Sequence, residues 1–265
     1  MIPAPTLYAR ASDAENALEL LSEPDAKVIA GGQSLIPVMK LRIARPSLVI
    51  DISRLELRGV GEHDGALHIG PLTTWSELID AEPLTRAGLE AIAECARGIG
   101  DLQVRNLGTI GGSVAHADPA SDMPAVLLAL AATVVIRSRE GERTIPLDDL
   151  ILGPFTTTLG QQDLITEIIV PVPEPGTGSA YVSVEHPASG FALAGAAASV
   201  GPNGERVAVT GIAARPFLVS DPDDPVGGAE VFGDRFAPAE YRRHLAIVLV
   251  DRALERASER AEEER

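Results

Sequence analysis

Ala30-Gly31-Gly32-Gln33-Ser34, read with Thr109-Ile110-Gly111-Gly112-Ser113, decides how this chain is expected to fold. The first stretch follows the apolar run Val28-Ile29-Ala30 and leads into a short helix-like segment that begins at Leu35. The second passes through His116-Ala117-Asp118-Pro119 into a helix-like stretch over residues 122–132. Glycine lets a backbone approach a ligand closely and turn its N–H groups inward. A helix starting just beyond such a turn adds a field that favours an anion. Two such loops suit a ligand with two linked phosphates, so the residues point to a dinucleotide cofactor. A single Gly-Gly pair is more often a plain tight turn. Neither stretch reads G-x-x-x-x-G-K-[ST] or G-x-G-x-x-G, so a P-loop or Rossmann site has no support.

Composition narrows the function classes. Hydrophobic residues make up 45% of the 265, with no apolar run of membrane-spanning length, so a soluble, cytoplasmic protein without an integral membrane segment is expected. A formal charge of −16 argues against nucleic acid, whose phosphates would be repelled. That charge reads equally well as a docking face for a basic partner or as a well-solvated surface. The one cysteine, Cys95, excludes an internal disulfide and any iron–sulfur cluster ligated by this chain alone.

Three units are expected along the chain. In the first, Ser12 and Glu15 read as a capping box for a helix ending near Pro24. Strands follow over 27–30 and 47–52, with Ser34 capping the short helix between them. The second unit runs over about 60–170. It holds a strand at 66–69, a Thr74/Glu77 capping box, a helix over 84–96, a strand at 133–136 turning at Glu140-Gly141, and a strand at 164–170. Residues 170–178, rich in Pro and Gly, read as the connector. Beyond it, three strand-like runs (180–185, 191–200 and 206–213) precede a helix over 238–256 and a solvated, fraying end over 259–265.

Few side chains stand out as chemistry. His116 and Asp118 lack the further ligands a metal site needs and read as a turn-stabilising pair ahead of Pro119. Asp122 reads as a helix N-cap, or as an acceptor for cofactor hydroxyls. Cys95 reads as a small apolar residue in a helix contact. No serine stands in a nucleophile elbow and no histidine has a clear partner, so the expectation is no catalytic side chain, no metal, and chemistry carried by a bound cofactor.

The wording of the loops carries a resemblance. Ala30 to Arg42 (AGGQSLIPVMKLR), and Gln103 to Ser113 (QVRNLGTIGGS) with the following His116-Ala117-Asp118-Pro119-Ala120-Ser121-Asp122, resemble the two FAD loops of the molybdenum hydroxylase flavoproteins. These are the FAD-binding medium subunits of the aerobic carbon monoxide dehydrogenase and xanthine dehydrogenase type. Ala239 to Leu245 and Arg252-Ala253-Leu254 are similar to that family's closing helix. The resemblance covers essentially the whole chain in the same motif order. It implies an α+β fold: a two-part FAD-binding region of the vanillyl-alcohol-oxidase (PCMH) type over 1–55 and 56–172, then an antiparallel sheet plus helix over 179–265.

The resemblance further implies that FAD is held by Ala30, Gly31, Gly32, Gln33, Ser34 and Leu35 and by Thr109, Ile110, Gly111, Gly112 and Ser113, the pyrophosphate resting on backbone N–H groups. Asp122 matches a family acid near the cofactor, and Leu159 a residue whose backbone meets the flavin. The implied partners are a large molybdopterin-binding subunit and a small iron–sulfur subunit, an assembly that can double into a dimer of heterotrimers. One feature departs from the pattern: many relatives place a lysine just after an Ala-Tyr pair, whereas here Ala180-Tyr181 is followed by Val182-Ser183. Tyr181 therefore reads either as a core residue or as a neighbour of the flavin ring. The competing readings are a stand-alone FAD-dependent dehydrogenase or oxidase, and a scaffold protein that has lost its cofactor.

Overall fold

The first fifty residues form a small parallel sheet in a computed structural model that describes residues 2–85 and 88–264. In order come β1 (Leu7–Arg10), α1 (Ala14–Leu20), β2 (Lys27–Ile29), α2 (Leu35–Lys40) and β3 (Leu48–Asp51), with β3 in the centre. All of β3 is buried, as a central parallel strand with both faces covered must be. Ala17, Leu18 and Leu21 of the first helical segment pack with Leu48 and Ile50 to form this unit's core. Strand β1 has no counterpart among the expected strands: it is a mostly exposed edge strand without apolar alternation. The expected Ser12/Glu15 box is replaced by Asp13, whose Oδ1 accepts the Asn16 N–H at 2.8 Å, while Asn16 Oδ1 accepts the Ser12 N–H. Ser34 occupies the N-cap position of α2 without a side-chain cap bond.

A second sheet follows. β4 (Val60–His63) and β5 (Ala66–Ile69) form a hairpin on Asp64-Gly65, both at positive φ (52° and 74°), the geometry that this dipeptide favours. α3 (Trp75–Asp80) starts at Thr74, where the expected capping box with Glu77 is complete. The helix expected over 84–96 is split into a 3-10 turn (Glu82–Thr85) and α4 (Glu90–Gly98), with Arg86 and Ala87 outside the described residues. Then come α5 (Leu102–Arg105), α6 (Ile110–His116), α7 (Met123–Ala129), β6 (Thr133–Ser138), β7 (Gly141–Pro146), α8 (Leu147–Leu150), β8 (Ile151–Gly153), β9 (Thr156–Thr157) and β10 (Leu164–Pro171). The antiparallel order β4-β5-β10-β6-β7 places the latest strand in the middle. Apolar residues at alternate positions (Leu67, Ile69, Ile168, Val134, Ile136) pack on α4 and α7.

The last sheet is built from β11 (Gly178–Glu185), β12 (Ala192–Gly201), β13 (Gly204–Thr210) and β14 (Phe217–Leu218), covered by α9 (Ala239–Glu263). β12 is nearly all small residues, so helices can approach both of its faces. Ala197 joins the core around α7, while Ala194, Ala196 and Ala198 join the core under α9. The connector is shorter than expected, because β10 runs to Pro171 and Gly178 already belongs to β11, where a Cβ would overlap the backbone of α9. The terminal helix does not fray from residue 259. Arg260 reaches Glu94 of α4 at 2.5 Å and Ala261 is buried, so α9 is anchored almost to its end; Arg265 lies outside the described residues.

Arg242 is the polar anchor of this unit, only 8% exposed. It donates to the carbonyls of Leu193 and Gly211, each at 2.7 Å, and to Asp234 at 2.8 Å. Arg242→Leu is expected to destabilise the chain by about 3 kcal/mol, because buried carbonyls lose their donor and Asp234 its partner. Denaturant unfolding would measure this, and a loss under about 1 kcal/mol would contradict the anchoring role.

Candidate functional site

The first glycine loop leaves β2 and enters α2 with its backbone donors unused. Among the described residues, the N–H groups of Gly31, Gly32, Gln33 and Ser34 make no hydrogen bond. Gln33 Nε2 reaches back to the Gly31 carbonyl at 3.5 Å, and Gly32 sits at φ 71°, a conformation glycine adopts without strain. At Gly31 a Cβ would overlap the carbonyl oxygen of Leu107. The first loop therefore lies directly against the entry to the second, and only glycine permits that approach. Four consecutive free donors, half-buried at Gly31 and Gly32 and exposed at Gln33 and Ser34, form a concave run of N–H groups of the kind that takes phosphate.

The second segment is arranged differently from expectation. Gly111 and Gly112 lie not in a turn before a helix but in the first turn of α6, capped by Thr109. Their N–H groups are taken by Pro71 O (2.9 Å) and Thr109 Oγ1 (3.2 Å), and those of Ile110 and Ser113 by Thr73 O and Thr109 O. Without cofactor, the N–H groups of residues 110–113 are thus engaged within the protein, and among the described residues of 109–113 the Thr109 N–H makes no hydrogen bond. Gly111 also permits close packing, because a Cβ there would strike Pro71. What the segment offers a ligand is hydroxyl groups: Ser113 Oγ lies 2.7 Å from Ser121 Oγ.

The loop from α6 to α7 is clamped onto the third sheet. Asp118 Oδ1 accepts the Ala120 N–H at 2.9 Å, holding the turn around Pro119. Thr210 Oγ1 donates to Ser121 O at 2.7 Å, and the Gly211 N–H to Pro119 O at 3.0 Å. His116 tilts against Phe155, ring centroids 5.1 Å apart. Asp122 stands at the N-cap position of α7 but makes no cap bond; its Oδ1 accepts the Tyr181 hydroxyl of β11. Gly195 of β12 leaves room for that hydroxyl, which a Cβ would overlap.

Burial raises the Asp122 carboxyl to about 6, with Glu185 and Asp118 adding repulsion and the Tyr181 bond pulling the other way. Burial likewise pushes up the Tyr181 hydroxyl and the Cys95 thiol, both with help from the Asp122 charge. Cys95 is thus a protonated, enclosed thiol. Leu159, just beyond β9, packs its side chain on the main core while its N–H reaches Thr157 Oγ1 at 3.3 Å. The Asp122–Tyr181 pair joins residues fifty-nine positions apart. Its one sequence signal was Gly195, which pairing across β11 and β12 brings within reach.

Comparison with known proteins agrees with this arrangement. Residues 4–173 match the family described as the FAD binding domain in molybdopterin dehydrogenase. The carbon monoxide dehydrogenase medium chain of Hydrogenophaga pseudoflava is 35% identical over 97% of this chain and 98% of its own. The glyceraldehyde dehydrogenase medium chain of Sulfolobus acidocaldarius is 37% identical over 88% of this chain and 85% of its own. A solved structure of the Hydrogenophaga pseudoflava carbon monoxide dehydrogenase, in a form lacking the Mo-pyranopterin moiety, superposes with a TM-score of 0.93 over 98% of this chain and 99% of that one. The chain is accordingly an FAD-containing oxidoreductase subunit and belongs to the family of FAD-binding medium subunits of molybdenum hydroxylase-type dehydrogenases.

Proposed function

We propose that this chain is the electron-transfer subunit of a cytoplasmic molybdenum hydroxylase complex. A large molybdopterin-binding partner oxidises the substrate, and a small iron–sulfur partner passes the electrons to the flavin site of this chain for delivery to an external acceptor. The single cysteine supports this division, because the clusters then need ligands from another chain. FAD supplies the junction chemistry, accepting electrons singly and releasing them in pairs.

The chain's own residues hold and enclose the cofactor. The observation that carries the reading is the run of free N–H groups at Gly31, Gly32, Gln33 and Ser34 beside Leu107 and Gly108. In this reading Ala30 and Leu35 flank the cradle, and Thr109 and Ser113 complete it through one N–H and one hydroxyl. Ile110, Gly111 and Gly112 set the spacing of that segment. Asp122 and the Leu159 backbone border the cofactor from the side of the third sheet. Two copies of the three-subunit assembly form the complete complex.

The test is an absorbance spectrum of the purified chain before and after incubation with FAD. Flavin bands that survive desalting, followed by co-purification of molybdenum- and iron-containing partners from the native host, are expected. A chain that takes up FAD but is reduced directly by a small substrate without partners would overturn the subunit assignment.

A further inference from the structure

We propose that His63, His68 and Glu167 bind a divalent transition-metal ion, zinc by the chemistry of the donors. The hairpin β4–β5 and strand β10 carry these residues side by side: His63 pairs with Ala66, His68 with Gly61 on one side and with Ile169 on the other. Alternation along β5 sends Leu67 and Ile69 into the core, and His68 to the opposite face. His63 and His68 are therefore diagonal neighbours, and Glu167 is diagonal to His68 across the next ladder.

The donor atoms converge. Two imidazoles and one carboxylate, each offering one ligand atom, lie within 4.8 Å of one another. The two rings are stacked, centroids 3.4 Å apart and 16° from parallel, so the exposed His63 ring must turn before both in-plane lone pairs aim at one ion. His68 Nδ1 stands 3.1 Å from Glu167 Oε2, close to the edge of a tetrahedron with zinc bonds of about 2.0–2.2 Å, which is roughly 3.3 Å. That same Nδ1 is buried, and although it is in ion contact with Glu167 the two groups are not aligned for a hydrogen bond. Its nearest polar group is the Glu167 carboxylate, so an ion between the two would take both as ligands in place of their direct ion contact. Three paired strands hold the donors on a stiff frame, and exposed His63 leaves a fourth position open to water. Imidazole with carboxylate suits zinc better than the hard, all-oxygen cations. Neither glycine loop takes part, so the site stands independently of the flavin reading.

Zinc titration of the full-length chain by calorimetry, after chelator treatment and dialysis, tests the assignment, with thermal unfolding run alongside. One saturable zinc site is expected, with an unfolding midpoint that rises with zinc concentration. His63→Ala and His68→Ala should each weaken zinc by about tenfold or more, with FAD uptake unchanged, while His244→Ala on α9 leaves zinc affinity as it was. His63 is exposed, so its variant reports binding even where His68→Ala perturbs folding. Absence of a saturable site, or zinc affinity unaltered in His63→Ala, would overturn the proposal.

Discussion

Gly31→Ala is expected to weaken FAD binding by about 10- to 100-fold, with a stability loss of about 1–3 kcal/mol in the cofactor-free chain. The cause is steric and local. The added Cβ would occupy the position of the Leu107 carbonyl oxygen, a backbone atom that cannot swing aside as a side chain can. Relief requires the two loops to separate, which pulls the free donors at Gly31 to Ser34 away from Thr109. Gly61→Ala is the control, because a Cβ there meets nothing within 4 Å and the backbone is not in the left-handed region. Fluorescence titration with FAD, read with the unfolding midpoint of each variant, checks both parts. Equal FAD affinity in Gly31→Ala and the wild-type chain would detach the first loop from the cofactor.

Asp122→Asn should stabilise the cofactor-free chain, and by an amount that depends on pH. Burial raises the Asp122 carboxyl from near 3.8 to about 6 in the folded state. Between those values the folded chain holds a proton that the unfolded chain has released, so stability falls as pH rises. The contribution is fully present below about pH 4 and lost as pH passes through about 6. At pH 7 the wild-type chain therefore carries an ionised, enclosed carboxylate at a cost of about 2–3 kcal/mol. Asparagine keeps an oxygen acceptor for the Tyr181 hydroxyl and removes the charge. The stability difference between variant and wild type should thus be close to zero at pH 4 and grow to that size by pH 7. Denaturant unfolding at a series of pH values would show it. A variant less stable than wild type at pH 7 would mean that the carboxylate is ionised and satisfied there. FAD affinity of the same variant then separates the roles: a loss of binding despite higher stability would place the charge in the cofactor's service.

Much of the architecture was legible because it rests on local rules. The Thr74/Glu77 box, the hairpin expected at Glu140-Gly141 (it turns one residue earlier, on Arg139-Glu140), the strands at 66–69 and 164–170, and the antiparallel sheet with its closing helix follow from capping, turn chemistry and apolar alternation. Less legible was whatever depends on a distant partner. Strand β1 exists because β3 offers it an edge, not because Leu7-Tyr8-Ala9-Arg10 is strongly strand-forming. The last helix stays ordered past Glu259 because Glu94, on a helix 166 positions away from Arg260, meets the guanidinium; burial opposes the charged carboxylate, and Arg260 with the Tyr181 N–H outweighs it.

By itself the sequence determined that this is an acidic, cysteine-poor chain with two glycine segments, a three-part α+β order, and loop wording that marks a flavoprotein family. Those properties are carried by residues adjacent in the chain, where steric freedom, capping and alternation act over a few positions. Only the tertiary structure decided how the N–H groups of the two segments are paired. The first keeps its N–H groups free, while the second spends most of its own on Pro71, Thr73 and Thr109. It also decided that Asp122 meets Tyr181 rather than capping its helix, and that His63, His68 and Glu167 share one face of a sheet. Hydrogen-bond donors find their partners in space rather than along the chain, and burial sets the charge of a carboxyl only once the surrounding elements have closed over it.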